Sequence, residues 1–160
     1  MIRLTKALLV KEITENISLP QKGSYILVLK IDEEKIFKPG RLSSAKFLPG
    51  IYLYVGRAKS NLPARLRRHF KRKKKRFWHI DYLLNDNKVK IKEALVFPGE
   101  FEECQLAQRI QKALKHSIFP LKKFGSSDCN CISHLIYLAQ TKVSLTSVLF
   151  RKIKNNFASS

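Results

Sequence analysis

Two short apolar runs fenced by turn residues constrain this chain more than any other feature. Tyr25-Ile26-Leu27-Val28-Leu29 follows Gly23 and ends at the acidic turn Asp32-Glu33-Glu34, while Ile51 to Val55 follows Pro49-Gly50 and ends at Gly56. Runs this short, bounded in this way, read as buried strands rather than helices. Between them Lys35 to Arg41 reads as a further strand ending at Pro39-Gly40, so a turn-rich ribbon joins the two runs and favours antiparallel pairing. From Leu62 the period turns helical: Leu62, Leu66, His69 and Phe70 fall on one face, and Pro63 suits a first-turn position. Trp78 to Leu84 reads as a second helix stopped by Asn85-Asp86-Asn87, and Val89 to Phe97 as a strand closed by Pro98-Gly99. A longer helix is expected from about Phe101 to His116, with Leu106, Ala107, Ile110, Ala113 and Leu114 as its apolar stripe. Ser133 to Ala139 reads as a short helix or a strand. The division expected is an N-terminal arm over 1–20, one domain over 21–139 and a basic tail over 140–160.

Charge narrows the partners. Thirty-two Lys and Arg against 12 Asp and Glu leave a formal charge of +20, which draws polyanions. Nucleic acid and an anionic membrane surface both fit that surplus; no run of about 18 apolar residues exists to span a bilayer. Residues 57–76 hold eleven Lys or Arg and no acid. A solvated basic face usually interleaves Glu, so a docking patch for nucleic acid is the favoured reading, with salt-sensitive binding. Arg57, Lys59, Arg68, Arg72, Lys73, Lys74, Lys75, Arg76, Trp78 and His79 are its candidate contacts. Phe77 and Trp78 can stack on bases or belong to the core.

The chemistry-bearing residues are sparse. Arg65 and His69, four apart, share a helix face and suit the charge and protons of a phosphodiester. Glu103 falls on or near the apolar stripe of its helix, where a carboxylate is costly unless paired or metal-bound, although a helix N-terminus also welcomes an acid. Tyr52 and Tyr54 alternate in step on one strand face. Three cysteines cannot close a disulfide set, and the favoured reading is reduced thiols in a cytoplasmic protein; the N-terminus carries no targeting segment by its pattern. The loop from Ser126 to His134, with Ser127, Asp128, Cys129, Cys131 and His134, reads as a supporting loop tied by hydrogen bonds. Zinc held there with Cys104 or His79 is the less favoured alternative, because paired C-x-x-C spacing is missing.

Taken in order, Gly23-Ser24-Tyr25, Tyr54-Val55-Gly56, Arg65 with His69, and Glu103 resemble the GIY-YIG nuclease superfamily. The stretches Gly23–Leu27, Arg65–Phe70, Trp78–Leu84, Glu103-Cys104 and Phe124–Leu135 look most like its Uri-type endonuclease branch, over roughly residues 20–138. The literal Gly50-Ile51-Tyr52 stands too close to Tyr54 to be the first-strand motif. The resemblance implies an α+β fold with a small antiparallel three-stranded central sheet flanked by helices, plus an extra β-ribbon insertion. It further implies a divalent-metal-dependent endonuclease that hydrolyses phosphodiester bonds, with Mg²⁺ or Mn²⁺, without saying which nucleic acid is cut; the partner expected here is nucleic acid, DNA before RNA, and no membrane. On that pattern Glu103 holds the metal, Arg65 stabilises the transition state, and Tyr25 or Tyr54 orients or deprotonates the attacking water with His69 as a rival. Gly56 permits close approach. Arg57 departs from the Ser common after the second tripeptide, and the superfamily's late Asn has no clear equivalent, with Asp128 or Asn130 as substitutes. The alternative functions are a catalytically inactive nucleic-acid-binding module of the same fold and a basic structural protein.

Overall fold

The computed structural model describes residues 8–10, 18–99, 102–114, 118–138 and 151. Ten elements occur among them: β1 (Leu8–Val10), β2 (Gly23–Ile31), β3 (Lys35–Phe37), β4 (Ala45–Phe47), β5 (Gly50–Ala58), α1 (Leu62–Phe70), α2 (His79–Leu84), β6 (Val89–Pro98), α3 (Glu103–Ala113) and β7 (Leu135–Tyr137). An antiparallel sheet runs in the order β1-β6-β2-β5-β7, and β3 and β4 form a separate two-stranded ribbon. The fold is therefore α+β, but its sheet is wider than the three strands expected. The three long strands β6, β2 and β5 form its centre, and two three-residue strands extend it. One of these, β1, comes from the expected N-terminal arm; its three residues pair with Ala94–Val96 of β6. The other, β7, settles the open reading at 133–139 as a strand paired with Tyr52–Tyr54. α3 is shorter than the helix expected from about Phe101 to His116: Glu102 and Leu114, both extended, cap it at Glu103 and Ala113. The remainder of the expected arm up to residue 17, residues 101, 115 and 116 and nearly all of the expected tail lie outside the described residues.

Alternation along β2 explains why its run is continuously apolar. Tyr25, Leu27, Leu29 and Ile31 face a cluster built with Leu62 and Leu66 of α1, Ile80 and Leu83 of α2, and Phe37 and Phe47 of the ribbon. Ile26 and Val28 face the other way, onto Leu106, Ala107 and Ile110 of α3. A strand covered by helices on both faces must be apolar at every position, so periodicity disappears. The order of the central strands places Tyr25 directly across from Gly56, and Leu27 across from Tyr54. The two tripeptides thus meet at the same end of neighbouring strands. α1 begins just beyond, capped by Asn61, whose side chain accepts from the Ala64 N–H. Among the described residues no helix is long and apolar enough to cross a membrane.

Candidate active site

A cleft of about 510 Å³ opens at that end of the sheet. Tyr25, Tyr54 and Gly56 of the paired strands form its floor, and the rest of its lining includes Arg57 and Lys59 at the end of β5, Arg65 of α1, Trp78 and His79 at the start of α2, Glu103 of α3, and Gly125, Ser127 and Asp128 from the Cys-bearing loop. Close packing fixes the floor. A Cβ on Gly56 would lie 2.5 Å from Cζ and the hydroxyl of Tyr25, so glycine is demanded by the ring across the strand pair rather than by its own backbone angles. Gly56→Ala is expected to push the Tyr25 ring out of place and to lose about 1–3 kcal/mol of stability by overpacking. Urea unfolding checks this, and an unchanged midpoint would mean that the ring moves freely.

Tyr25 shares a 2.7 Å hydrogen bond with Nε2 of His69, which is 2% exposed and does not line the cleft. Burial pushes the His69 imidazole down to about 3, reinforced by Lys74, Arg65 and Arg68 and opposed by Asp81. Its ring is therefore neutral near neutral pH and holds Tyr25 from beneath the lining of the cleft. Burial also raises both phenols: Tyr25 against the pull of Arg65, and Tyr54 further through Tyr25 and Glu103. Neutral phenols are hydrogen-bond donors for an anion. The unfolded chain protonates His69 below about pH 6.5 while the folded chain does not until about pH 3. Across that window the unfolded state binds the extra proton, so stability falls as pH falls, by about 1.4 kcal/mol per pH unit for this group. His69→Gln should flatten the slope of urea-derived stability between about pH 6 and 4 by that amount. His79 and His134, also lowered by burial, leave a residual slope.

Arg65 is held rather than free. Its Nη1 donates to the Arg57 carbonyl, and its guanidinium lies 4.4 Å over the Trp78 ring. Arg68, expected to contact nucleic acid, is committed elsewhere. It makes a two-pronged pair with the fully buried Asp81, at 2.9 and 2.7 Å, and stacks 4.3 Å over Trp78. Asp81 also accepts the Phe77 and Trp78 N–H groups, which caps α2 and anchors the basic loop. Two guanidiniums on Trp78 leave Phe77, 78% exposed at the cleft, as the freer stacking surface. The sequence gives no warning about Asp81, which stands inside an apolar helical run.

Glu103 opens the first turn of α3 and reaches the cleft. Burial and the neighbouring Asp128 raise its pKa, while Arg65, Arg57 and Lys59 lower it. Two neighbouring carboxylates offer the oxygen ligands that a hard divalent cation takes, while the three cations around them suit a phosphate. Arg57 also lies 3.9 Å from Glu102. His79 accepts the Gly125 N–H on Nδ1, joining α2 to the Cys-bearing loop.

The basic run forms an irregular loop after α1, and none of residues 71–76 lines the cleft. Arg72, Lys73, Lys75 and Arg76 are exposed, with Arg76 5.2 Å from the Tyr82 ring. Lys74 is half-buried, donates to the His69 carbonyl, and is pushed down to about 8 by burial. Ser60 and Gly125 line the cleft without having been singled out in sequence. Gly125 carries φ +69°, and Tyr54 would lie 3.0 Å from an added Cβ, so the loop passes tightly over the phenol. Of the two substitutes for the late Asn, Asp128 reaches the cleft and Asn130 does not. Behind the loop, Cys104, Cys129, Cys131 and His134 converge, with ligand atoms all within 4.8 Å of one another.

Sheet, helices and cleft define an α+β protein with a strongly basic, carboxylate-bearing site at one end of an antiparallel sheet. A family model described as a domain of unknown function, DUF123, matches residues 24–155, and the chain belongs to that family. No curated protein and no solved structure matches it.

Proposed function

We propose that the chain is a divalent-metal-dependent endonuclease that hydrolyses phosphodiester bonds in nucleic acid, DNA in preference to RNA, as a Uri-type member of the GIY-YIG superfamily. One observation carries the reading: Tyr25, Tyr54, Arg65 and Glu103, spread over nearly 80 residues, line a single cleft. On this reading the central β6-β2-β5 strands would correspond to the three-stranded core that the superfamily resemblance implies, and β1, β7 and the β3–β4 ribbon would be additions to it.

Arg65, fixed by the Arg57 carbonyl and Trp78, holds positive charge where a phosphoryl group would gain negative charge. Tyr25 and Tyr54, kept protonated by burial, donate hydrogen bonds toward a phosphate or its attacking water. Proton abstraction by either phenol is disfavoured, so their role is orientation. Arg57 and Lys59 draw the backbone in, and the exposed basic loop extends that field beyond the cleft. Glu103 with Asp128 would hold Mg²⁺ or Mn²⁺, which supplies Lewis acidity to the scissile phosphate.

The test is incubation of the protein with end-labelled single-stranded, duplex and branched DNA and with structured RNA, in Mg²⁺ or Mn²⁺ and in EDTA. Cleavage lost in EDTA supports the reading and names the substrate. Tight, salt-sensitive binding with no turnover in either metal overturns it in favour of a binding module.

A further inference from the structure

The Cys-bearing loop holds the strongest feature that the proposed reaction leaves unused. Residues 118–134 contain no helix or strand, yet Phe124, Ser126, Ser133 and His134 are fully buried. Backbone pairs hold the segment at intervals: Lys123 N to the Ile132 carbonyl, His134 N to the Phe124 carbonyl, and Val55 N to the His134 carbonyl. An irregular segment of this length inside a compact domain calls for another tie. Three thiols and one imidazole supply the candidate.

We propose that Cys104, Cys129, Cys131 and His134 form a four-ligand site for one structural Zn²⁺, joining this loop to the first turn of α3. The ligand types are those of Cys₃His zinc sites, and the spacing matches. Nε2 of His134 lies 3.8 Å from Sγ of Cys104 and 3.6 Å from Sγ of Cys129. A tetrahedral ion with Zn–S near 2.3 Å and Zn–N near 2.0 Å requires sulfur–nitrogen edges of about 3.6 Å and sulfur–sulfur edges of about 3.8 Å. All four ligand atoms fall within 4.8 Å of each other, so small rotamer adjustments complete the tetrahedron.

The alternatives fit less well. All three cysteines are free, and an odd number cannot pair off. Thiols engaged only in hydrogen bonds would turn to separate backbone acceptors, and among the described residues only Cys129 shows one, the Ser126 carbonyl at 3.7 Å. The others aim at a common point. Thiolate ligands select zinc over the hard cations suited to Glu103 and Asp128. Four protein ligands leave no open position, so this ion is structural. Its consequence reaches the cleft all the same. Cys104 is the residue after Glu103, and Cys129 is the residue after Asp128, so the ion would fix the two carboxylates relative to each other.

The experiment uses the full chain, purified without a metal-chelating tag. Elemental analysis after dialysis should find one zinc per chain. Replacement by Co²⁺ should give the visible absorption of a tetrahedral thiolate complex, and modification of the three thiols should release one equivalent of Zn²⁺. Cys104→Ser and Cys131→Ser should each lower bound zinc at least about tenfold, whereas Glu103→Gln should retain it. If the serine variants fail to fold, thiol-coupled release from the unaltered protein decides. Less than about a tenth of an equivalent of zinc, with three thiols titrating freely, overturns the proposal. So does iron in place of zinc, or full zinc retention in both serine variants. Zinc content is read without any nucleic-acid substrate, so a failure of the nuclease reading leaves this result standing.

Discussion

Alanine at Glu103 is expected to reduce single-turnover cleavage in Mg²⁺ or Mn²⁺ by at least about a hundredfold, with affinity for nucleic acid changed less than about threefold. Glu103 sits at the start of α3, near enough to Asp128, Arg65, Arg57 and Lys59 to feel their charges. Removing it leaves those cations without their principal acid. Electrostatic attraction for phosphate is then kept or strengthened, while the ligand that positions a divalent cation is gone. Arg65→Ala should cost a comparable factor in rate, because a group aimed at developing charge acts chiefly in the transition state. The double variant should be little slower than either single one, since both serve the same phosphate. Asp128→Asn should fall between. Rates within a few-fold of the unaltered protein in Glu103→Ala would remove this carboxylate from the reaction.

The largest expected loss of stability comes from Asp81→Ala, about 3–5 kcal/mol, measured as a shift in the urea midpoint at unchanged slope. The carboxylate is wholly buried and receives four hydrogen bonds, two from Arg68 and one each from the Phe77 and Trp78 N–H groups. Deleting it strands a half-buried guanidinium and two backbone donors. Asp81→Asn keeps the shape but not the charge and should lose less. Arg68→Met combined with Asp81→Leu should be milder than the sum of the single changes, because a buried ion pair is defended mainly against losing one partner. A loss below about 1 kcal/mol for Asp81→Ala would mean that the loop from residue 71 to 78 is held by something else.

The central architecture was legible in sequence because its signals are local. Turn residues fence the strand runs, Pro63 opens α1, and the tripeptides mark the ends of β2 and β5. The short edge strands were not, since three residues carry no usable period and their pairing depends on a distant neighbour. Charge told a blurred story for the same reason. Eleven basic residues look alike along the chain, and only the fold commits Arg68 to Asp81, draws Lys74 inward and leaves Arg57 and Lys59 at the cleft. His69 was legible as a partner of Arg65 in spacing, but its position behind Tyr25 was not. The Cys104 cluster was legible only as the less favoured alternative, because Cys129, Cys131 and His134 lack the paired C-x-x-C spacing and Cys104 lies about 25–30 residues before them, a distance only the fold closes.

The floor of the cleft and the rest of its lining differ in how they are built. Tyr25 and Gly56 belong to strands hydrogen-bonded along their length, with β2 paired on both edges. The rest of the lining mixes helix-borne Arg65, His79 and Glu103 with irregular backbone at Phe77 and at the turn holding Ser127 and Asp128. Amide exchange should therefore be slow on the floor and fast along the irregular stretches, because the first opens only with the whole domain and the second open by themselves. A site of this kind keeps one fixed reference surface for a reacting phosphate and lets its border adapt to strands of different width.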